Sequence, residues 1–334
     1  MPELNLTFLE LVQLCDNANP FGPNSEKLVP LHLPSYPSPI GFLRPIVVEQ
    51  LKKENEQSRN ENQRELWVIN IDQAGSKDRV EISAWADTPF KRTAAINVLC
   101  QRWRDTGLFS DVCGPTKWRS ELYPIYKNPF GPHDYPTKED DLDNLNFAFE
   151  MERSACALFG VVTYGVHMSI YQEVLSEHKS EGRELKIWVP TRAKNKQTGM
   201  TAFESLVKEC MEEASITEEV VRKHARSTGA ISYFFRTSAG WLQPEVEYVY
   251  ALAIPPDADP ALFTPKPLDG EVESFELLDQ TTVIAKMKAG KFKPNCALVI
   301  IDLLIALGYL TPDNEPEFMQ IVTRLHGRFD YDRW

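Results

Sequence analysis

Residues 201–216 read TAFESLVKECMEEASI, and the two sides of that stretch cannot share one environment. At about 100° per residue, Phe203, Leu206, Val207, Cys210 and Ala214 fall on one face of a helix, and that face belongs in a core. Glu209, Glu212 and Glu213 fall together on the opposite side, within an arc of roughly 100°. Thr201 and Glu204 form a possible capping box at the start. The three carboxylates are spaced i, i+3, i+4, so they converge on one patch. Like charges so placed repel by a few tenths (~0.2–0.5) of a kcal/mol per pair in an isolated helix. A bound Mg2+ or Mn2+ would reverse that penalty, because hard cations take carboxylate oxygens. Taken alone, an acidic helix face is more often a solvated surface than a metal site.

The rest of the chain supplies material to cover the apolar face. Strand patterns occur at Leu66–Ile71, Val80–Trp85, Leu185–Val189, Gly229–Phe235, Glu245–Ile254 and Val272–Leu277. A helix end is expected around Phe147–Arg153, followed by a β-forming stretch from Ala155 to Met168. Helices are expected over Leu4–Asn17, Val47–Asn60, Thr88–Thr106 and Asn295–Leu307. Between Pro20 and Pro45 lie seven prolines, a stretch expected to resist regular structure and wrap over a surface. Asn128–Asp143, with its prolines and the run Glu139-Asp140-Asp141, reads as the linker. The pattern predicts an α+β chain: an accessory α/β domain over 1–140, then a second domain over 141–334. A length of 334 residues suits two domains at about 150 residues each.

Charge narrows the partners. The 36 basic and 48 acidic side chains leave a net charge of −12, which disfavours nucleic acid. A small anionic substrate remains compatible if a divalent cation bridges it to the protein. The longest apolar run, Tyr248–Ile254, is closed by Pro255, far short of the ~20 residues a membrane span needs. The N-terminal residues show no basic and apolar signal pattern. Six cysteines are scattered without a CxxC pair, which reads as reduced thiols in a cytoplasmic protein. The pattern leaves open whether the chain is a monomer or a homodimer.

The segment Lys208-Glu209-Cys210-x-Glu212-Glu213-x-Ser215-Ile216 resembles the second half of the Nudix box: a basic residue, Glu, an aliphatic, any, Glu, Glu, any, usually Gly, and an aliphatic. Lys208 stands for the usual Arg and Ser215 for the usual Gly. The resemblance continues in 158–167 (LFGVVTYGVH), 186–192 (KIWVPTR), 240–245 (GWLQPE), 269–278 (DGEVESFELL) and 292–298 (FKPNCAL). These are similar to one Nudix group, which carries its own N-terminal domain and is found fused ahead of fungal thiamine pyrophosphokinase. The stretch 118–123 (WRSELY) resembles that accessory domain. The implied fold is a Nudix α/β/α sandwich with a mixed sheet. The implied activity is Mg2+- or Mn2+-dependent hydrolysis of a diphosphate.

By the resemblance, Glu209, Glu212 and Glu213 are metal ligands, with Glu209 or Glu213 also orienting or deprotonating the attacking water. Glu271, in a turn before a strand, is the candidate for the further carboxylate, and Glu273 comes second. Arg192 is a candidate phosphate contact, and Trp118 and Trp241 are candidates to stack on a ring; each has a plain alternative in a surface ion pair or core packing. Lys208 is expected to brace the helix, and His167 to be a hydrogen-bonded structural residue. The group is linked to oxidised, damaged thiamine diphosphate, cut to the monophosphate plus phosphate, which makes the chain a metabolite-repair diphosphatase. An oxidised nucleoside diphosphate of the 8-oxo-guanine type is the alternative substrate.

One departure bears on activity. The family box opens with a glycine loop and places a Glu eight residues before the basic residue, where this chain has Met200. Relative to that pattern about fifteen to twenty residues are absent between Thr198 and Thr201. The absence reads as a stretch missing from this sequence, a true deletion that weakens or abolishes catalysis, or a mis-spliced gene; the first is favoured. A true deletion would make the chain a Nudix-fold binding module.

Overall fold

The computed structural model describes residues 4–18, 25–71, 78–136, 145–175, 182–192, 202–268 and 272–327, without the side chains of residues 175, 191 and 192. In chain order the first elements are α1 (Phe8–Cys15), β1 (Val29–His32), β2 (Gly41–Leu43), α2 (Pro45–Asn60), β3 (Trp67–Asn70), β4 (Arg79–Ile82), α3 (Pro89–Thr106) and α4 (Ser110–Cys113). Next come β5 (Leu122–Tyr126), β6 (Phe147–Glu152), α5 (Cys156–Phe159), β7 (Thr163–Leu175), β8 (Arg183–Arg192), α6 (Ala202–Ala214) and α7 (Glu218–His224). The last are β9 (Ala225–Arg236), β10 (Leu242–Ala253), β11 (Val272–Asp279), α8 (Gln280–Lys288), α9 (Pro294–Ala306) and α10 (Phe318–Leu325). The class is α+β, as the sequence pattern predicts.

By contact the chain forms two compact units. One comprises the described residues of 1–16, 164–233 and 246–327; the other comprises those of 17–163 and 234–245.

The first unit is built on a five-stranded sheet in the order β11-β8-β7-β10-β9. β8 is antiparallel to both β7 and β11. Alternation along a strand sends neighbouring side chains to opposite faces. On β10, Tyr250 and Leu252 join Ile170 of β7 in an apolar cluster with Leu206, Val207 and Cys210 of α6 and Val220 and Val221 of α7. Glu247, in the opposite phase, meets Asn295 of α9. Helices therefore cover both faces. α1 begins in a full capping box, Thr7 with Glu10, and Leu6 N donates to Lys288 O at 2.9 Å.

The second unit holds a four-stranded sheet, β2-β1-β4-β3, in which β1 and β4 run parallel and the other pairs antiparallel. Its core is aromatic: Trp103 stacks on Phe159 at 5.8 Å between centroids, and Trp67 stacks on the same ring at 6.0 Å. Buried Arg92 ties α3 to β6, its Nε donating to Ala148 O at 3.0 Å. Burial is the larger influence on that guanidinium and lowers its pKa to about 10, against the pull of Asp87.

Three expectations need correction. The proline-rich stretch holds two strands, and β1 is buried along its whole length inside the sheet. Pro30 is tolerated because the ladder to β4 begins only at Leu31. Phe147–Arg153 is no helix end: Phe147–Glu152 is strand β6, antiparallel to β5, with Phe147, Phe149 and Met151 buried. Short apolar runs of this kind do not distinguish strand from helix by period. Within the expected β-stretch from Ala155, residues 156–159 are helical. The Glu152 carboxylate accepts from Ser154 N and Oγ and turns the chain, and Gly160, at φ +55°, ends the turn.

Candidate active site

The site begins with the helix that displays the carboxylates. α6 forms where its apolar face meets the sheet: Leu206 is 2% exposed and Cys210 6%. The three acidic side chains do not stand equally clear of that core. Glu209 and Glu213 are half-buried beside the apolar face, whereas Glu212 is exposed. Lys208 Nζ lies 3.8 Å from Glu212 Oε1, a partner one turn on. Thr201, the other half of the expected capping box, lies outside the described residues; Glu204 grips α7, where Arg222 donates Nη1 to Oε1 at 3.0 Å and Nη2 to Oε2 at 2.7 Å. Those bonds to Arg222 hold the Glu204 carboxyl below its ordinary value.

The helix ends at Ser215, whose φ of +54° lies in the left-handed region. Ile216 N reaches back to Cys210 O at 3.1 Å, as in a helix-terminating turn. That conformation favours glycine, which is the physical reason for the usual residue of the box at this position. Ser215 donates its hydroxyl to Lys266 O at 3.0 Å.

Behind this surface the sheet carries a buried polar group that pattern reading missed. Glu247, 4% exposed, accepts from Tyr233 OH at 2.8 Å and from Asn295 Nδ2 at 3.3 Å, and His167 Nε2 lies 3.4 Å from its other oxygen. Gly165 makes room for it: a Cβ there would overlap Glu247 Oε2 and sit 2.9 Å from its Cδ. Burial works against the charge on Glu247, but the facing His167 and the hydrogen bonds outweigh it and hold the carboxyl below 4.5. Burial likewise lowers His167, and Glu247 more than compensates, raising it above 6.5; the charges of Lys293 and Glu209 also act on it. In the sequence Glu247 shares its strand phase with Gln243 and Glu245, so alternation alone gave no signal that it is buried.

The remaining candidates fall as follows. Glu271 and Met200 lie outside the described residues, as does the join between Thr198 and Thr201. Glu273 is exposed on β11. Arg192 ends β8 opposite Val272. In the second unit, Trp118 is half-buried under the Arg104 guanidinium, 4.5 Å away, while Trp241 is buried and donates Nε1 to Asp111 at 2.6 Å. Tyr123 is core, with the Arg153 guanidinium 5.1 Å from its ring centre. Among the described residues no three His, Cys, Asp or Glu side chains are gathered closely enough to hold a metal ion. The helix thus offers oxygen donors of the right chemistry along one side, but not a closed coordination set. Among the described residues no helix is long and apolar enough to cross a membrane, and none of the six cysteines is in a disulfide.

A sheet covered on both faces, with a helix presenting Glu209, Glu212 and Glu213 along one side, defines an α/β/α protein with an acidic helical site. Sequence relatives make the class specific. YJR142W, an uncharacterized protein of Saccharomyces cerevisiae, is 32% identical over 262 residues, spanning 70% of this chain and 68% of that protein. Nudix hydrolase 20, chloroplastic, of Arabidopsis thaliana is 31% identical over 282 residues, 78% of this chain and 66% of the relative. Nudix hydrolase 24, chloroplastic, of the same plant is 29% identical over 264 residues, 74% and 63% respectively. The chain spans about two thirds of the length of these relatives. No family profile matches it. Among solved structures, the NUDIX domain of Shewanella oneidensis NrtR complexed with ADP ribose is 11% identical, over 38% of this chain and 79% of that one, at a TM-score of 0.26. A C. elegans Ap4A hydrolase binary complex is 11% identical, over 44% and 98%, at 0.30. Likenesses at these scores carry no argument. The chain belongs to the Nudix hydrolase family.

Proposed function

We propose that the protein is a metal-dependent diphosphate hydrolase that converts oxidised thiamine diphosphate to the monophosphate plus phosphate. The observation that carries the reading is the side of α6 on which Glu209 and Glu213 are half-buried beside the core and Glu212 is exposed. Half-burial holds two of the carboxylates in place, which an ordinary solvated acidic face does not do. A divalent cation, Mg2+ or Mn2+, would be held by Glu209, Glu212 and Glu213 with Glu271, and would neutralise charge on the diphosphate. Hydrolysis is in-line attack of water on phosphorus, so positioning and charge neutralisation do most of the work. In this reading Glu209 or Glu213 accepts the proton of the attacking water, and Arg192 meets a phosphate oxygen. The fused-group ancestry, a contiguous accessory module over 1–140 ahead of a hydrolase module over 141–334, and a cytoplasmic setting belong to the same proposal.

The test is phosphate release from oxidised thiamine diphosphate and from 8-oxo-guanosine diphosphate, in Mg2+ and in Mn2+. Release from the thiamine compound that disappears in Glu213→Gln, with the circular dichroism spectrum unchanged, supports the reading. Turnover of the nucleotide alone moves the substrate to the alternative. Binding of either compound without turnover makes the chain a Nudix-fold binding module, which Met200 in place of the first Glu of the box favours.

A further inference from the structure

The second unit carries a cleft of about 360 Å3, and every lining residue belongs to that unit. Its volume lies in the range of small-ligand sites, roughly 300–1,000 Å3. Ala157, Val161 and Leu242 give it an apolar wall. Two carboxylates, Asp111 and Glu245, and three cations, Lys117, Arg119 and Arg153, line it, and most of them are already engaged. Arg153 Nη1 donates to both oxygens of Glu121, at 2.9 and 3.3 Å, and Asp111 accepts from Trp241. Lys117 and Arg119 are different: both are exposed, and neither side chain has an ion pair or hydrogen bond among the described residues.

The backbone that presents these two cations is nonetheless locked. Lys117 N and Trp118 N donate to Gly114 O at 2.8 and 2.9 Å. Arg119 N donates to Glu152 Oε1 at 2.8 Å, and that carboxylate is 1% exposed. A rigid segment holding two cations without an ion pair beside a cleft of mixed polar and apolar lining, in a chain of net charge −12, is an arrangement that solubility does not require. Cations carried on a fixed backbone at the edge of a hollow with one apolar wall suit an anion attached to an apolar body.

We infer that this cleft is a binding site for a small organic phosphate, with Lys117 and Arg119 on the phosphate and the ring or chain of the ligand against Ala157, Val161 and Leu242. The site shares no residue with the acidic helix and does not depend on the hydrolase reading.

Calorimetric titration of the full chain in EDTA tests it, with phenyl phosphate, inorganic phosphate and phenol as probes. Chelation removes any metal-bridged binding at the acidic helix. The expected result is saturable binding of phenyl phosphate, at least tenfold weaker in the Lys117→Ala/Arg119→Ala double variant, restored by Lys117→Arg/Arg119→Lys and unchanged in Glu213→Gln. Both side chains are exposed, so the double variant should fold, and an unchanged melting temperature checks that. Three results overturn the inference: no saturable binding at millimolar phenyl phosphate, equal binding by wild type and double variant, or binding of phenol as tight as that of its phosphate.

Discussion

Replacing Gly165 with alanine adds one methyl group to β7, and the structure says where it goes. The new Cβ would overlap Glu247 Oε2 and lie 2.9 Å from Glu247 Cδ. Ordinary carbon–carbon contacts lie at about 3.5–4.0 Å, so the carboxylate, whose oxygen is the closer atom, has to move by about an ångström or more. It has little freedom to do so, being held by Tyr233 at 2.8 Å, by Asn295 at 3.3 Å and by His167 at 3.4 Å. Overpacking a core costs about 1–3 kcal/mol, and stripping a buried charge of its partners about 3–5 kcal/mol. Displacement weakens those contacts without removing them, so Gly165→Ala is expected to cost about 2–3 kcal/mol. At about 2–4 °C per kcal/mol for a unit of 150–250 residues, the melting temperature should fall by about 4–12 °C. The assay is thermal unfolding of wild type, Gly165→Ala, Glu247→Ala and the double variant. With Glu247 shortened to alanine the clash is gone, and adding Gly165→Ala should then cost under about 0.5 kcal/mol. A neutral single variant, or an equal cost in both backgrounds, refutes the reasoning.

The same buried pair sets a pH dependence. His167 sits above its ordinary 6.5, so its contribution is full below that value and is lost as pH rises through the raised one; Glu247 sits below its ordinary 4.5, so its contribution is full above 4.5 and is lost as pH falls through the lowered one. The melting-temperature gap between wild type and His167→Gln should therefore be widest between pH 4.5 and 6.5 and narrow by pH 9, and a flat gap would contradict the pairing. At Ser215, valine should cost about 1–2 kcal/mol because a β-branched residue resists positive φ, whereas glycine should stay within about 0.5 kcal/mol of wild type; equal effects in urea unfolding would speak against the left-handed turn. In the second unit, Glu54 accepts from Trp103 Nε1 at 2.8 Å and pairs with Arg102. Glu54→Ala leaves a buried indole N–H unpaired and should cost about 2–4 kcal/mol by chemical denaturation.

The parts of the fold that could be read from the sequence are those in which one pattern serves one environment. The helical period of Phe203, Leu206, Val207 and Cys210 survives because α6 touches the sheet along a single stripe. β10 was visible because its apolar run is long enough for a central strand. The failures have a common cause in tertiary context. Val29–His32 contains a proline and carries no alternation, yet all four residues are buried, because the strand lies between two others in its sheet. Phe147–Glu152 is a strand because β5 lies beside it, with Leu122 opposite Glu152, a pairing that nothing local to either segment announces.

The candidate site divides along the same line. Glu209, Glu212 and Glu213 were legible as a group because their spacing alone puts them on one side of a helix. Which of them are held against the core was not, since that depends on how the helix rolls onto the sheet, and the structure half-buries Glu209 and Glu213 while leaving Glu212 in solvent. The difference bears on chemistry. A half-buried carboxylate has fewer rotamers to lose on meeting a cation or a water, so less of the interaction is spent on ordering it. Glu212, exposed and 3.8 Å from Lys208, must break that contact and order its side chain to act as a ligand. If α6 performs hydrolysis, removing Glu209 or Glu213 should therefore cost more activity than removing Glu212. A pure electrostatic patch would make the three substitutions equivalent, so comparing Glu→Gln variants at the three positions by kcat separates a positioned catalytic helix from a merely acidic one.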